Sequence, residues 1–175
     1  RLAKGLGLTV IHVTHNQEEA MAVADRVAVL RRGRVEQVGD PEEVYFHPAT
    51  PFCARFVSNA SLLRGRLVES YGVVGLAEVE GLGLVRVEHR GLRRGSQVLV
   101  AVRPESVTLG EGGFRGRVVD LSLTGHTLKV WIEAGGLQLL AECEPRLDIR
   151  VGADVSFGLA EPLPAFEFVG YEGEV

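Results

Sequence analysis

Lysine is almost missing from this sequence: among 175 residues only Lys4 and Lys129 carry it. A phosphate-cradling loop of the Gly-x-x-x-x-Gly-Lys-[Ser/Thr] type ends on a lysine at a helix start, and neither lysine stands in such a run, so the chain contains no such loop. Cysteine is scarce as well. Cys53 and Cys143 lie far apart, which excludes a disulfide framework and zinc-ligand spacing and leaves two buried thiols in a reducing compartment as the expectation. Aromatic residues make up 6% and the formal net charge is −4, whereas a nucleic-acid binder shows a strongly basic face with stacking platforms. No apolar run approaches the ~20 residues that cross a bilayer, and no signal-peptide pattern opens the sequence. Methionine occurs once, at Met21, and the first residue is Arg1, so the sequence reads as a piece of a longer polypeptide.

What is present is a soluble-type composition, 46% hydrophobic and 24% charged, with 22 glycines and 7 prolines that favour tight turns and β-structure. Residues 1–6 read as the tail of a helix. Thr9–Val13 is a short β-branched run and predicts a buried strand. Two overlapping N-cap patterns follow, Thr14 with Gln17 and Asn16 with Glu19, and either starts a helix whose apolar side is Ala20, Val23, Ala24 and Val27. Residues 26–30 and 34–38 alternate around Arg32-Gly33 and predict a β-hairpin. Asp40-Pro41-Glu42-Glu43 and Thr50-Pro51 each open a short helix. After the polar joint at residues 58–61 the pattern becomes short alternating strands broken by Gly-rich turns.

That β-region repeats itself faintly. Arg64-Gly65-Arg66-Leu67-Val68-Glu69 matches Arg115-Gly116-Arg117-Val118-Val119-Asp120, and Gly95-Ser96-Gln97-Val98 matches Gly152-Ala153-Asp154-Val155. Order and rough spacing are kept, which predicts two similar β-units side by side, residues 62–109 and 113–169.

His15 is the candidate site residue. It falls between a predicted strand end and a helix N-terminus, where open α/β sheets collect ligands and where free N–H groups favour phosphate. A neutral imidazole there can donate one N–H to a phosphate oxygen. On geometry alone an exposed pre-helix residue is the favoured account. His12 would point to the other side of a continued strand, so no metal pair forms and no metal is expected.

The run from Leu8 to Met21, with Ala24-Asp25-Arg26-Val27-Ala28-Val29-Leu30, Gly33-Arg34-Val35-Glu36-Gln37-Val38-Gly39 and Pro41-Glu42-Glu43-Val44-Tyr45 after it, resembles the switch-histidine segment of the ATPase subunits of ABC importers for maltose, polyamines, ferric iron and sulfate. Ala101-Val102-Arg103-Pro104-Glu105 and Ser122-Leu123-Thr124-Gly125-His126-Thr127 resemble parts of the transport-associated OB-like (TOBE) domain of the same subunits. The resemblance implies that His15 meets the γ-phosphate of ATP, with Asn16 beside it as a nucleotide-binding position where the family usually has Asp. Arg103 and Glu105 are candidates for regulatory contact with the ATPase portion, or else for a turn-stabilising ion pair around Pro104.

The expected architecture is thus an α/β remnant of a nucleotide-binding domain over residues 1–57 followed by an all-β OB-like domain over 58–175, mainly β overall. The implied function is the C-terminal part of the subunit that powers solute import. ATP and Mg2+ belong to the intact parent, none is expected on this chain, and the chain by itself is not expected to hydrolyse ATP. Implied partners are transmembrane permease subunits and a second copy of the ATPase subunit, at the inner face of the cell membrane, with no nucleic acid. Two other readings remain, a small-anion-sensing β-domain using Gly-rich turns and arginine clusters, and an OB-type nucleic-acid binder.

Overall fold

The computed structural model describes residues 7–146 and 148–168, so the helix tail expected over residues 1–6 lies outside the described residues. The chain divides into two units between Pro48 and Ala49.

In the first unit, helix α1 (Gln17–Val23) starts where Asn16 accepts the Glu19 N–H on its side-chain oxygen at 3.2 Å. Of the two overlapping caps the second is the one used. Thr14 supports it from outside, accepting the Asn16 N–H at 3.0 Å and donating to the Glu19 carboxylate at 3.1 Å. The helix ends at Val23 with Ala24 as its cap, so Val27 leaves the expected apolar side and opens a strand instead. Strands β1 (Val27–Arg31) and β2 (Arg34–Gly39) form the expected antiparallel hairpin. Its turn takes Arg32 at φ 49° and Gly33 at φ 75°, the two positive values that match the twist of paired strands. Helix α2 (Pro41–Phe46) is capped by Asp40, which accepts the Glu43 N–H at 2.8 Å, and buries Val44 completely.

The buried strand expected at Thr9–Val13 is not formed. The run makes no ladder, and Val10, Ile11 and Val13 are 64%, 90% and 90% exposed. A β-branched run reads as a strand because it suits a pleated surface, but a strand exists only where neighbours pair with its backbone. Among the described residues of this unit the one sheet is the two-stranded hairpin β1–β2.

The second unit begins with helix α3 (Pro51–Ser58), capped by Thr50 and ended by Asn59 in the left-handed conformation at φ 53°. The sequence pattern assigns this helix to the first part. In the structure its Ala54 packs with Ala60 and Ala101 of the β-region. Strands β3 (Ser61–Tyr71), β4 (Val74–Val79), β5 (Gly83–His89) and β6 (Gln97–Val102) follow, then a 3-10 turn at Pro104–Ser106. The chain continues through β7 (Val107–Thr124), β8 (Thr127–Ala134), β9 (Leu137–Cys143), β10 (Asp154–Leu159) and β11 (Leu163–Glu167). Strands β11-β5-β4-β3-β6 close a barrel, and β10-β7-β8-β9 form a four-stranded sheet.

The two halves carry the same bonds. Leu67 donates its N–H to the Ser96 carbonyl and accepts from Gly95, and Val118 does the same with Ala153 and Gly152, at 2.7–2.9 Å in all four cases. Both first strands shift register at the same place, between Leu67 and Glu69 and between Val118 and Asp120. Gly81 and Gly135, in the second hairpin turn of each half, meet face to face: a Cβ on Gly135 would lie 2.0 Å from the Gly81 carbonyl oxygen. The halves do not stand side by side as separate units, however. The segment after β10 supplies β11, which pairs antiparallel with β6 and parallel with β5. The segment after β6 opens β7, whose Val107–Leu109 pair with Leu159–Phe157 of β10. Each half thus receives a strand from the chain that follows the other, because an open strand edge needs a partner. One hydrophobic cluster accordingly spans both, from Leu67 and Val87 to Ile132, Leu139 and Phe157.

Candidate functional site

His15 is exposed and stands immediately before the α1 cap. Glu19 holds the approach to it: its carboxylate accepts from Thr14 and lies 3.5 Å from His12 Nε2, folding residues 12–16 back onto the first turn of α1. The imidazole of His15 therefore projects from a fixed corner and is open to a ligand. The side-chain oxygen of Asn16 is occupied as the cap, leaving its amide NH2 as the part able to meet an anion. The described residues contain no group of three or more His, Cys, Asp or Glu that could hold a metal ion.

Arg103 and Glu105 meet each other, with Arg103 Nε 3.2 Å from Glu105 Oε1. Pro104, between them, and Ser106, after them, are buried in the 3-10 turn, and the Ser106 carbonyl accepts the Ala160 N–H at 2.8 Å. The pair sits at the turn that carries the chain from β6 into β7 and forms the expected ion pair around Pro104. Trp131 is half-buried between the fully buried Val130 and Ile132, on the outer face of β8 rather than in the core. Cys53 is fully buried, but Cys143 is only half-buried, and that partial burial raises its thiol pKa above the usual value.

Two features were not anticipated from the sequence pattern. The first is a groove of about 700 Å3 on the barrel wall, lined by Arg64, Arg66, Glu78, Glu80, Gln97 and Phe168, with the Arg64 guanidinium 5.1 Å from the centre of the Phe168 ring. Its two guanidinium groups are matched by two carboxylates, so it favours neither sign of charge. The second is His89, 1% exposed, on the inward phase of β5 after Val85 and Val87. Its Nδ1 accepts the Leu92 N–H at 3.3 Å, and Nε2 lies 3.2 Å from Ser70 Oγ, which makes Nε2 the protonated nitrogen of a neutral ring. The alternation Val85, Val87, His89 is the signal that would have found it.

Residues 100–162 match the TOBE domain family. The chain is 35% identical over 156 residues to an uncharacterized ABC transporter ATP-binding protein of Sinorhizobium fredii, covering 88% of this chain and 42% of that protein. It is 36% identical over 168 residues to the spermidine/putrescine import ATP-binding protein of Marinobacter nauticus (89% and 45%). It is 37% identical over 134 residues to the sulfate/thiosulfate import ATP-binding protein of Methylococcus capsulatus (76% and 37%). The chain spans less than half the length of these curated relatives. Among solved structures, the cytoplasmic molybdate-binding protein ModG superposes with a TM-score of 0.50 at 16% identity, over 60% of this chain and 94% of that one, which supports an OB-like all-β fold for the second unit. The chain is similar over most of its length to ATP-binding subunits of ABC importers, and its residues 100–162 match the TOBE domain family.

Proposed function

We propose that this chain is the C-terminal part of an ABC importer ATPase, with His15 as the residue that senses the terminal phosphate of ATP and the β-unit as its regulatory and dimerising part. The observation that carries the reading is the placement of His15, an exposed imidazole at a braced corner before a capped helix, within a segment related to importer ATP-binding subunits. The hairpin adds support. Ala28, Leu30, Val35 and Val38 are exposed on paired strands, with Leu30 opposite Val35 and Ala28 opposite Val38. Together with Val10, Ile11 and Val13 they offer the apolar surface that the rest of a nucleotide-binding domain would cover.

Only part of a nucleotide site fits these residues. His15 can hold one phosphate oxygen through its N–H, and the Asn16 amide can add a second donor. The phosphate cradle and the Mg2+ ligands have no counterpart among the described residues, so they fall to residues outside this chain. ATP with Mg2+ supplies the bond that is broken; the role of this chain is to orient and report. Permease subunits and a second ATPase subunit are the partners this reading requires, at the cytoplasmic face of the membrane.

The test uses the intact subunit. His15→Ala lowers phosphate release by at least about 10²-fold, the usual scale for losing a positioned hydrogen-bond donor to the reacting oxygens, while binding of a fluorescent ATP analogue is retained. Undiminished release in that variant defeats the reading. The chain by itself releases phosphate at the background rate in a malachite-green assay. Light scattering that shows only monomers of the intact subunit at high concentration removes the dimerising role.

A further inference from the structure

The loop between β5 and β6, Arg90-Gly91-Leu92-Arg93-Arg94-Gly95, carries three exposed arginines and no acid. Among the described residues none of the three makes an ion pair. The corresponding loop of the second half, between β9 and β10, carries less unpaired charge: an exposed Arg150 stands in the place of Arg93, but Val151 stands in the place of Arg94, and Arg146 is neutralised by Asp148 at 2.7 Å. The shared scaffold therefore does not call for three unpaired arginines together.

The arginine loop is also held rigidly. Leu92 gives its N–H to the buried His89 and lies against Ser70 through its carbonyl, and Gly95 donates to the Leu67 carbonyl at 2.7 Å. Arg66 comes over the same turn, with its Nε donating to the Gly95 carbonyl at 3.3 Å. Alongside lies the β3–β4 hairpin tip, tied to the loop by the His89 N–H on the Val73 carbonyl at 2.8 Å. There Tyr71 and Val73 are 66% and 64% exposed. The Tyr71 hydroxyl donates to Glu69, which raises its pKa, while the nearby Arg94 charge opposes that rise.

We propose that Arg90, Arg93 and Arg94, with Tyr71 and Val73, form a docking surface for a carboxylate-rich segment of another protein that carries one apolar side chain. The guanidinium forks suit bidentate carboxylates, and the aromatic and Val73 give the apolar residue a seat. The loop projects from the barrel outside the groove described above, so it suits a macromolecular surface better than a small enclosed anion. Glu69 and Glu88 border the patch. A uniformly anionic bilayer or a nucleic-acid backbone meets those carboxylates with like charge, whereas a folded partner can place a cation opposite them.

The experiment measures fluorescence anisotropy of a fluorescein-labelled peptide bearing six glutamates around one leucine, with a lysine at each end to face Glu69 and Glu88, against the full chain at low salt. Binding is expected to weaken as salt rises. The R90Q/R93Q/R94Q variant is expected to lose about tenfold in affinity, as three exposed charge pairs allow. R146Q, in the self-neutralised pair of the other loop, is expected to bind as the parent does, and unchanged Trp131 fluorescence shows that the variants are folded. The proposal is overturned if the triple variant binds the peptide as tightly as the parent, if a glutamine version of the peptide binds equally well, or if phosphatidylglycerol vesicles bind and the peptide does not.

Discussion

The meeting of Gly81 with Gly135 brings the two halves of the β-unit into close backbone contact besides their exchanged strands, and it can be tested with an internal control one residue away. Gly135 and Gly136 are neighbours in the same turn, at φ 57° and 81°. Both ask an alanine to adopt the left-handed conformation, which costs about 1 kcal/mol. They differ in surroundings. A Cβ on Gly136 meets nothing within 4 Å, whereas one on Gly135 would sit 2.0 Å from the carbonyl oxygen of Gly81, with the carbonyl carbon and Cα of Gly81 at 2.5 Å. The obstacle is backbone and cannot swing aside, so Gly135→Ala adds an overpacking cost of about 1–3 kcal/mol. The expected totals are about 1 kcal/mol for Gly136→Ala and about 2–4 kcal/mol for Gly135→Ala. In a unit of this size each kcal/mol lowers Tm by about 4 °C. Thermal unfolding followed through Trp131, the only tryptophan and a residue of the same hairpin, reads the difference directly. Equal Tm values for the two variants would refute the close approach, and with it the account of how the halves lock.

Phe157, fully buried and stacked on Phe114 with ring centres 5.5 Å apart, is expected to cost about 3–5 kcal/mol on truncation to alanine, measured by urea unfolding. Ser70→Ala leaves a buried imidazole N–H of His89 without its partner and is expected to destabilise by about 1–3 kcal/mol, with faster amide exchange at Leu92 as its local signature. In Ellman titration of the folded chain Cys143 reacts first and more slowly than a free thiol, because partial burial raises its pKa, while Cys53 stays silent until unfolding. Arg146 holds the Asp148 carboxyl below the usual range, chiefly by direct hydrogen bonding. The small stabilisation this gives is present above the ordinary carboxylate pKa and is lost as pH falls through the lowered one; NMR titration should show that midpoint return to normal in R146Q.

The sequence by itself determined the local structure wherever a side chain satisfies its own backbone. Asp40 and Thr50 announce helix starts because a side-chain oxygen three residues before a free N–H is all the cap requires, and both caps form. Arg32-Gly33 announces the hairpin because its turn needs positive φ. The repeated Arg-Gly-Arg and Gly-turn segments fix matching bulges and turns, since those too are set by neighbours in sequence. Tertiary structure decided everything that depends on a distant partner. Thr9–Val13 has the side chains of a strand but pairs with no strand among the described residues. The exchange of closing strands between the halves, β11 onto β6 and Val107–Leu109 onto β10, leaves no mark in local pattern, because an edge is filled by whichever segment reaches it. His89 likewise alternates inward like any core residue, and only the fold brings Ser70 and Leu92 to its two nitrogens.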